Sequence, residues 1–278
     1  MPDESANAEE ITRASQSNLA FAFLSLGAER RRDMTIFYAF CRLIDDIADS
    51  PQLPPEEKAQ QLAAWRAALH VPQKEEPALA PEVRGLFQKY AINPVMMELI
   101  IDGVEMDLTT PRYETFAALR EYCYLVASAV GLVSIEIFGY TNAGCRQYAI
   151  ELGLALQVTN ILRDVRKDLD NGRIYLPRED MARFDYSETE LVARVYDERF
   201  VRLMLFEADR AEEYFGKATA LLPPEDRRAM VSAEIMGSIY HALLSQMERD
   251  GFRVFERDYG LGKLAKLGHA ARQLLKLF

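Results

Sequence analysis

Three aspartates follow a run of aromatic and aliphatic residues near the start of the chain, in "AFCRLIDDIADS" from Ala39 to Ser50. On a helix, residues four apart share a face, so Asp45 and Asp49 project together while Asp46 lies about 100° to one side. An ionised carboxylate in an apolar setting is costly unless it is paired or binds a metal. The pattern therefore predicts either a salt-bridged face, with Arg42 as the nearest cation, or a site for a divalent cation.

A second polar stripe occurs in "LQVTNILRDVRKDLDNGRIYLP", where Asn160, Asp164 and Asp168 are spaced four apart and Gln157 extends the same face one turn earlier. Either stripe alone is equally well explained as an exposed, ion-paired face. Two such stripes, each preceded by an apolar run, favour a binding site. Hard oxygen ligands suit Mg²⁺, which is commonly held by one or two carboxylates together with substrate phosphates. Cations are interleaved with the second stripe and suit an anionic ligand: Arg163, Arg166, Lys167 and Arg173.

Helical patterns dominate the rest of the chain. In the stretch 56–70, Leu62, Trp65 and Leu69 recur at spacings of three and four and predict one apolar helix face. The stretch 200–222 has the same periodicity and ends at two prolines. No stretch alternates apolar and polar residues for long enough to force a sheet, and no linker or repeat divides the chain. The simplest organisation is one all-α domain over residues 1–278.

Composition and charge exclude several classes of protein. A chain of 278 residues that is 49% hydrophobic can bury a large core. Its net charge of −10 argues against general nucleic-acid binding, so an anionic ligand must be met by local cations. Three cysteines without a CxxC pair and an N-terminus without a secretory signal predict a cytoplasmic protein. The uncharged, mostly apolar run Tyr122 to Ile135 is shorter than the roughly 20 residues that span a bilayer, so it predicts an interior helix.

The two aspartate-rich segments resemble the signatures of the squalene/phytoene synthase family, whose members join two prenyl diphosphates head to head. The segment from Asp102 to Gly131 resembles the family's central region, and the similarity extends from about residue 15 to about residue 265. The resemblance implies an all-α, single-domain isoprenoid-synthase bundle. In such a bundle, the two aspartate motifs face each other across the mouth of a central apolar tunnel. Residues 1–14 are expected to form a flexible arm.

The resemblance also implies roles for individual residues. Asp45 and Asp49 from the first motif, with Asn160, Asp164 and Asp168 from the second, are expected to hold roughly two or three Mg²⁺ ions with the diphosphate. The four aspartates, Tyr38 and Arg42 are expected to be catalytic. Other positions are expected to bind diphosphate or shape the site, namely Gln157, Arg163, Tyr175, Tyr240 and Arg257, or to line the tunnel, namely Phe23, Tyr122, Val126 and Val130.

This chemistry explains the residue types. Ionising an allylic diphosphate requires metals and fixed cations aimed at the charge that develops on the leaving group. The carbocation left behind requires an apolar, water-free cavity. The chain departs from the family pattern at Leu19, where an aromatic is frequent, and at Ser128, where glycine is common. These departures concern tunnel shape and leave the length of the substrate open.

The expected function is the condensation of two farnesyl diphosphates to a C30 product of the presqualene diphosphate or squalene type. Phytoene synthesis from geranylgeranyl diphosphate is the alternative within the family, and a non-catalytic helical scaffold that binds a partner is the alternative outside it. No strand precedes a G-x-G-x-x-G motif, so NADPH is expected only for a reductive second step. A di-iron bundle is excluded because none of the three histidines has a Glu three residues before it.

The last stretch, Gly262 to Phe278, combines four basic residues with five leucines and a phenylalanine. A basic amphipathic helix of this kind can rest on an anionic membrane surface. More often such a stretch is the last helix of a bundle, and we favour that interpretation from the sequence. The oligomeric state cannot be predicted from these patterns.

Overall fold

Apolar side chains spaced three and four residues apart predict helices, and the computed structural model shows where each helix begins and ends. It describes residues 25–109 and 112–277, with Ala8, Ala22 and Phe23; the arm expected at residues 1–14 lies outside this part except for Ala8. The described residues contain no β-strand. The α-helices are α1 (Ala28–Asp49), α2 (Pro55–His70), α3 (Ala80–Tyr90), α4 (Val95–Thr109), α5 (Phe116–Cys123), α6 (Ala129–Phe138), α7 (Gly144–Asp170), α8 (Arg178–Arg183), α9 (Glu188–Val192), α10 (Glu198–Leu221), α11 (Val231–Arg249) and α12 (Lys263–Leu275), with a π-helical segment at Tyr124–Ser128 and a 3₁₀ turn at Pro224–Asp226.

Helix α7 lies at the centre of this bundle. It packs most extensively against α10 and also contacts α5, the π-helical segment, α6 and α11. Its buried residues, from Cys145 to Val165, lie on several sides of the helix, as expected for a helix enclosed by neighbours. The buried apolar side chains of the described residues form one contiguous cluster that extends to Ala270. The all-helical architecture predicted from the sequence is confirmed.

Helices α1, α2 and α4 contact one another and form a second wall of the bundle. The ring of Phe40 in α1 meets the ring of Trp65 in α2 edge to face, with 5.3 Å between their centroids. The helix predicted over 56–70 is confirmed as α2, and Leu62, Trp65 and Leu69 are all buried. Because these side chains pack inward, they hold α1 in place.

Hydrogen bonds to one side chain fix the start of α10. The Asp197 carboxylate accepts hydrogen bonds from the backbone N–H of Arg199 at 2.9 Å and of Phe200 at 3.1 Å, which caps the start of α10. The prolines at 223 and 224 follow the end of this helix. The helix predicted over 200–222 is therefore confirmed, with bounds shifted by one or two residues.

The apolar run predicted to lie inside the protein does so. The stretch Phe116–Phe138 is long and apolar enough to cross a membrane by length and composition, but 56% of its apolar window is buried within the protein, as in a core helix. The π-helical segment interrupts this stretch, and the Ser128 hydroxyl donates a hydrogen bond to the Ile150 carbonyl at 2.8 Å. Gly153 of α7 lies directly against the segment, since a Cβ there would be 2.7 Å from the Ser128 Cα.

We expect Gly153→Ala to lower the free energy of unfolding by about 1–3 kcal/mol, because the added methyl group would overlap backbone atoms that cannot move independently. Gly216→Ala in α10 is the matched control, because a Cβ there meets no atom within 4 Å. That control should be neutral or stabilising by up to about 1 kcal/mol. Chemical denaturation of both variants measures the difference, and equal stabilities would contradict the close approach of α7 to the π-helical segment.

Candidate active site

A cleft of about 240 Å³ opens between α1, α4, α5 with the π-helical segment, and α7. The loop that follows α7 closes one side of it. Both polar stripes identified in the sequence face this cleft. The lining residues are Asp45, Ala48, Asp49, Val104, Asp107, Tyr122, Val126, Gln157, Asn160, Ile161, Arg163, Asp164, Lys167, Asp168, Asn171, Arg173 and Tyr175.

The first stripe divides between two environments. Asp45 and Asp49 line the cleft, one turn apart on α1. Asp46 does not line it and forms an ion pair with Arg42 at 2.9 Å. Asp49 accepts a hydrogen bond from the Arg173 guanidinium at 2.7 Å, which links α1 to the loop after α7. Helix periodicity therefore separates a pair of carboxylates in the cleft from a surface ion pair.

The second stripe lies together on the facing side of the cleft. Gln157, Asn160, Asp164 and Asp168 all line it, as their spacing of three and four residues on α7 predicts. Arg163 donates a hydrogen bond from Nε to Asp164 at 2.9 Å. The Asp164 carboxylate therefore already has a cationic partner in the protein.

A carboxylate that was not predicted from the sequence lies deeper in the cleft. Asp107 of α4 accepts hydrogen bonds from the hydroxyls of Tyr175 at 2.6 Å and Tyr122 at 3.0 Å. Burial raises the pKa of Asp107, while the Tyr175 hydrogen bond and the nearby Arg173 lower it in part. The sequence held only a weak signal for this residue, because α4 also carries Asp102 and Glu105 and nothing in their order distinguishes the one that faces the cleft.

Three tyrosine rings form a stack beside Asp107. The rings of Tyr122 and Tyr175 are 5.2 Å apart between centroids, and Tyr113 packs against both at 5.6 and 5.9 Å. Burial raises the pKa of Tyr122 and Tyr175 far above the usual value, so both hydroxyls stay protonated near neutral pH. The stack presents aromatic faces and neutral hydroxyls at the inner end of the cleft.

Contacts of Arg112, which lies between α4 and α5, hold the loop after α7 in position. The backbone of Arg112 forms an isolated parallel bridge with Ile174. The Arg112 guanidinium also donates hydrogen bonds to the Gly172 carbonyl at 2.9 Å and to Glu188 at 2.6 Å. These contacts fix the loop that carries Arg173 and Tyr175, neither of which lies on a helix.

Several residues predicted from the resemblance lie outside the lining of the cleft. Phe23 and Tyr38 contact each other edge to face at 6.3 Å, and Val130 packs against the apolar core. Arg42 is engaged with Asp46, and Arg257 pairs with Asp250 at 3.2 Å. Tyr240 lies beside the Arg163 guanidinium and is therefore one residue removed from the cleft.

The acidic residues of the cleft repel one another. Burial by the cleft walls and the charge of Asp49 raise the pKa of Asp45 from 3.8 to about 7, although the side chain keeps an exposed surface in the open cleft. Burial and the charge of Asp164 raise the pKa of Asp168 to about 8, although Arg173 acts in the opposite direction. Near neutral pH, Asp168 is therefore largely protonated and Asp45 is partly protonated unless a cation replaces these protons.

The side chains of the cleft fit a divalent cation that shares its coordination with an anion. Among the described residues, no three His, Cys, Asp or Glu side chains lie close enough together to hold a metal by themselves. Mg²⁺ suits such a site, since it is usually bound by one or two carboxylates together with substrate phosphates and waters. The Asn160 side-chain oxygen is buried and has no hydrogen-bond donor in the described part of the chain, as expected for a ligand atom that awaits a cation.

Comparison with known proteins identifies the family. The model of the family "Squalene/phytoene synthase" matches residues 12–266. A phytoene synthase from Mycobacterium tuberculosis is 34% identical over 271 residues, which cover 96% of this chain and 89% of the relative. A presqualene diphosphate synthase from Rhodopseudomonas palustris is 33% identical over 255 residues, which cover 90% of each protein.

Solved structures agree with these sequence matches. A crystal structure of a dehydrosqualene synthase in complex with a ligand superposes with a TM-score of 0.84 at 26% identity and covers 97% of this chain and 95% of its own. The structure of the squalene synthase HpnC from Alicyclobacillus acidocaldarius gives a TM-score of 0.75 at 25% identity, covering 88% of this chain and 93% of its own. With its helical fold and its two facing acidic stripes, the chain belongs to the squalene/phytoene synthase family.

Proposed function

We propose that this protein, a prenyltransferase of the squalene/phytoene synthase family, condenses two farnesyl diphosphates head to head into a C30 product. The observation that carries the proposal is the meeting of two acidic helix faces and three cationic side chains in one cleft. A non-catalytic helical scaffold has no use for this arrangement, and membership of an enzyme family also favours catalysis.

Arg163, Lys167 and Arg173 surround the cleft and would bind the diphosphate oxygens. Their charge is fixed in place before the reaction, which is what stabilises a leaving group as it develops negative charge. Mg²⁺ held by Asp45, Asp49, Asn160, Asp164 and Asp168 would supply further positive charge to the same group. Arg163 and Arg173 are oriented by Asp164 and Asp49, so carboxylates of both motifs also position the cations.

The inner end of the cleft suits the carbocation that remains after diphosphate leaves. Val104, Val126 and Ile161 line it there and would exclude water, which would otherwise capture the cation. The aromatic faces of Tyr122 and Tyr175 attract positive charge through their π electrons. Asp107 accepts hydrogen bonds from both of these tyrosines and so would hold their rings in orientation.

The substrate length distinguishes two candidate reactions. Relatives named phytoene synthase are as similar to the chain as those named presqualene diphosphate synthase, which keeps geranylgeranyl diphosphate as the second candidate. We favour farnesyl diphosphate because a dehydrosqualene synthase structure superposes over nearly the whole chain. The first coupling step is proposed to need no nicotinamide, and NADPH would serve only a later reduction.

We further propose that the chain acts as one catalytic domain in a reducing, cytoplasmic setting. The contiguous apolar cluster supports a single domain. A reducing setting is supported by the three cysteines, Cys41, Cys123 and Cys145, none of which forms a disulfide.

Replacing Asp45 or Asp168 by Asn should lower turnover by at least about a hundredfold, because the carboxylate that would hold Mg²⁺ against the leaving group is lost while the size of the side chain is kept. Asp46→Asn and Asp170→Asn are matched controls on the same two helices, since both aspartates pair with surface arginines outside the cleft. Steady-state kinetics with Mg²⁺ measures the effect. Near-normal turnover of either cleft variant would show that its carboxylate does not bind the metal.

The stabilisation by Mg²⁺ with inorganic diphosphate should be greater near pH 8.5 than near pH 6. The pKa values of Asp45 and Asp168 are raised from 3.8 to about 7 and about 8. Their contribution to stability is therefore present below about pH 4 and lost as the pH rises through 7 to 8 in the metal-free protein. Cations must displace these protons at lower pH, which weakens binding.

Thermal unfolding of wild type, with and without both ligands, measures this dependence. The double variant Asp45→Asn, Asp168→Asn should show a smaller stabilisation with a weaker pH dependence, the remainder coming from the titration of diphosphate itself. An equal rise in Tm at both pH values in the wild type would contradict the raised pKa values.

Incubation with farnesyl diphosphate and Mg²⁺ alone should yield a coupled C30 product, and mass spectrometry of the extract identifies it. Parallel incubations use geranylgeranyl diphosphate, and each is repeated with NADPH. A C40 product with no C30 product would assign the chain to phytoene synthesis. Strict dependence of farnesyl diphosphate consumption on NADPH would contradict the proposed first step.

A further inference from the structure

The terminal helix α12 packs against α11 through an unusual face. Its buried residues are Ala270 and Gln273. The Nδ1 atom of His269 lies 2.6 Å from the Ser238 hydroxyl of α11. A last bundle helix normally buries its large apolar side chains. Here small and polar residues face the bundle instead, although the stretch does form the last helix and packs against α11, as favoured from the sequence.

The leucines of α12 point outward. Leu264 and Leu275 are 86% and 74% exposed, and Leu267 and Leu274 are exposed as well. At about 100° per residue, these four leucines fall within a sector of roughly 100° on the side away from Gln273. They form an outer apolar strip that the described part of the chain does not cover.

Positive charge flanks this apolar strip. By the same helix geometry, Lys263 lies at one edge, Arg272 lies about 60° beyond the other edge, and Lys276 lies about 40° further round. None of these three side chains forms an ion pair with a carboxylate in the described residues. From Gly260 to the C-terminus the chain contains four Lys and Arg and no Asp or Glu, although its net charge is −10. The cations are therefore segregated from the acidic remainder of the protein.

We propose that α12 docks the protein on the surface of an anionic lipid bilayer. The apolar strip would enter the interface between headgroups and acyl chains, while Lys263, Arg272 and Lys276 would contact lipid phosphates. This inference rests on α12 alone and does not depend on the proposed condensation reaction.

A second copy of the chain fits this surface less well. A strip on a 13-residue helix is about 20 Å long by about 10 Å wide, far below the roughly 800 Å² per partner of a stable interface. A two-fold dimer through this strip would also bring two sets of cations together, because both subunits present the same surface. Anionic lipid complements the charge, whereas a second α12 repels it.

Flotation of the full-length protein with lipid vesicles tests the proposal. One vesicle preparation contains about 30% phosphatidylglycerol in phosphatidylcholine and the other contains phosphatidylcholine alone. Wild type should bind the anionic vesicles at least about tenfold more strongly, and added salt should weaken this binding. The variant Leu264→Ser, Leu275→Ser removes apolar contact, and Arg272→Glu, Lys276→Glu reverses two charges. Each should reduce binding to anionic vesicles by at least about tenfold.

Arg202→Glu, Leu205→Ser is the matched control, because both residues are exposed on α10 and lie outside the proposed surface. It should bind anionic vesicles as wild type does. Since the changed side chains are exposed, circular dichroism and Tm should be unaltered in every variant. Failure of wild type to bind anionic vesicles, or equal binding by the α12 variants, would overturn the proposal. So would a leucine variant that converts a wild-type dimer to a monomer in ultracentrifugation without vesicles.

Discussion

The crowding of carboxylates in one cleft is the constraint on which the rest of this structure depends. Asp49 repels Asp45 on α1, Asp164 repels Asp168 on α7, and Asp107 adds to the negative charge that both pairs meet, so this arrangement is unfavourable without cations. The protein supplies part of the compensating positive charge itself, since Arg173 pairs with Asp49 and Arg163 pairs with Asp164. The remaining deficit of positive charge makes the cleft receptive to a metal ion and a ligand that arrives with it.

The scaffold keeps the two acidic faces together despite this repulsion. Helix α7 is enclosed by α5, α6, α10 and α11, and α1 is held by its packing with α2 and α4. Apolar burial around both helices therefore opposes the electrostatic cost of the site between them. The clustered carboxylates that suit the cleft for ligand binding therefore lower the stability of the fold, as at many binding sites.

Acidic side chains that are close together on one helix have different partners in this bundle. On α1, Asp46 forms an ion pair at the surface, whereas Asp45 faces the cleft. On α4, Asp102 and Glu105 both pair with Arg66. Asp107 of the same helix instead accepts hydrogen bonds from two tyrosine hydroxyls. Helix periodicity predicts the first distinction, because residues four apart share a face. It cannot predict the second, because the relevant tyrosines come from segments 15 and 68 residues further along the chain.

The sequence was therefore sufficient for the helices, for their all-α arrangement and for the two stripes that line the cleft. It was insufficient wherever a side chain chooses among partners from distant segments. Arg42 and Arg257 carry the charge expected near a diphosphate, yet each pairs with a nearby aspartate. Arg173 reaches Asp49 only because the bridge between Arg112 and Ile174 holds its loop, and such a contact leaves no periodic pattern.

The π-helical segment limits which insertions and deletions this wall of the cleft can accept. It adds one residue to the turn between Tyr122, which faces the cleft, and α6, which is packed in the core. Removing one residue there would restore α-helical geometry and rotate one side of the stretch by about 100° relative to the other. Either the tyrosine would leave Asp107 or the core face of α6 would turn outward. This wall of the cleft can therefore be altered by exchanging side chains, whereas insertions and deletions belong in the loops between helices.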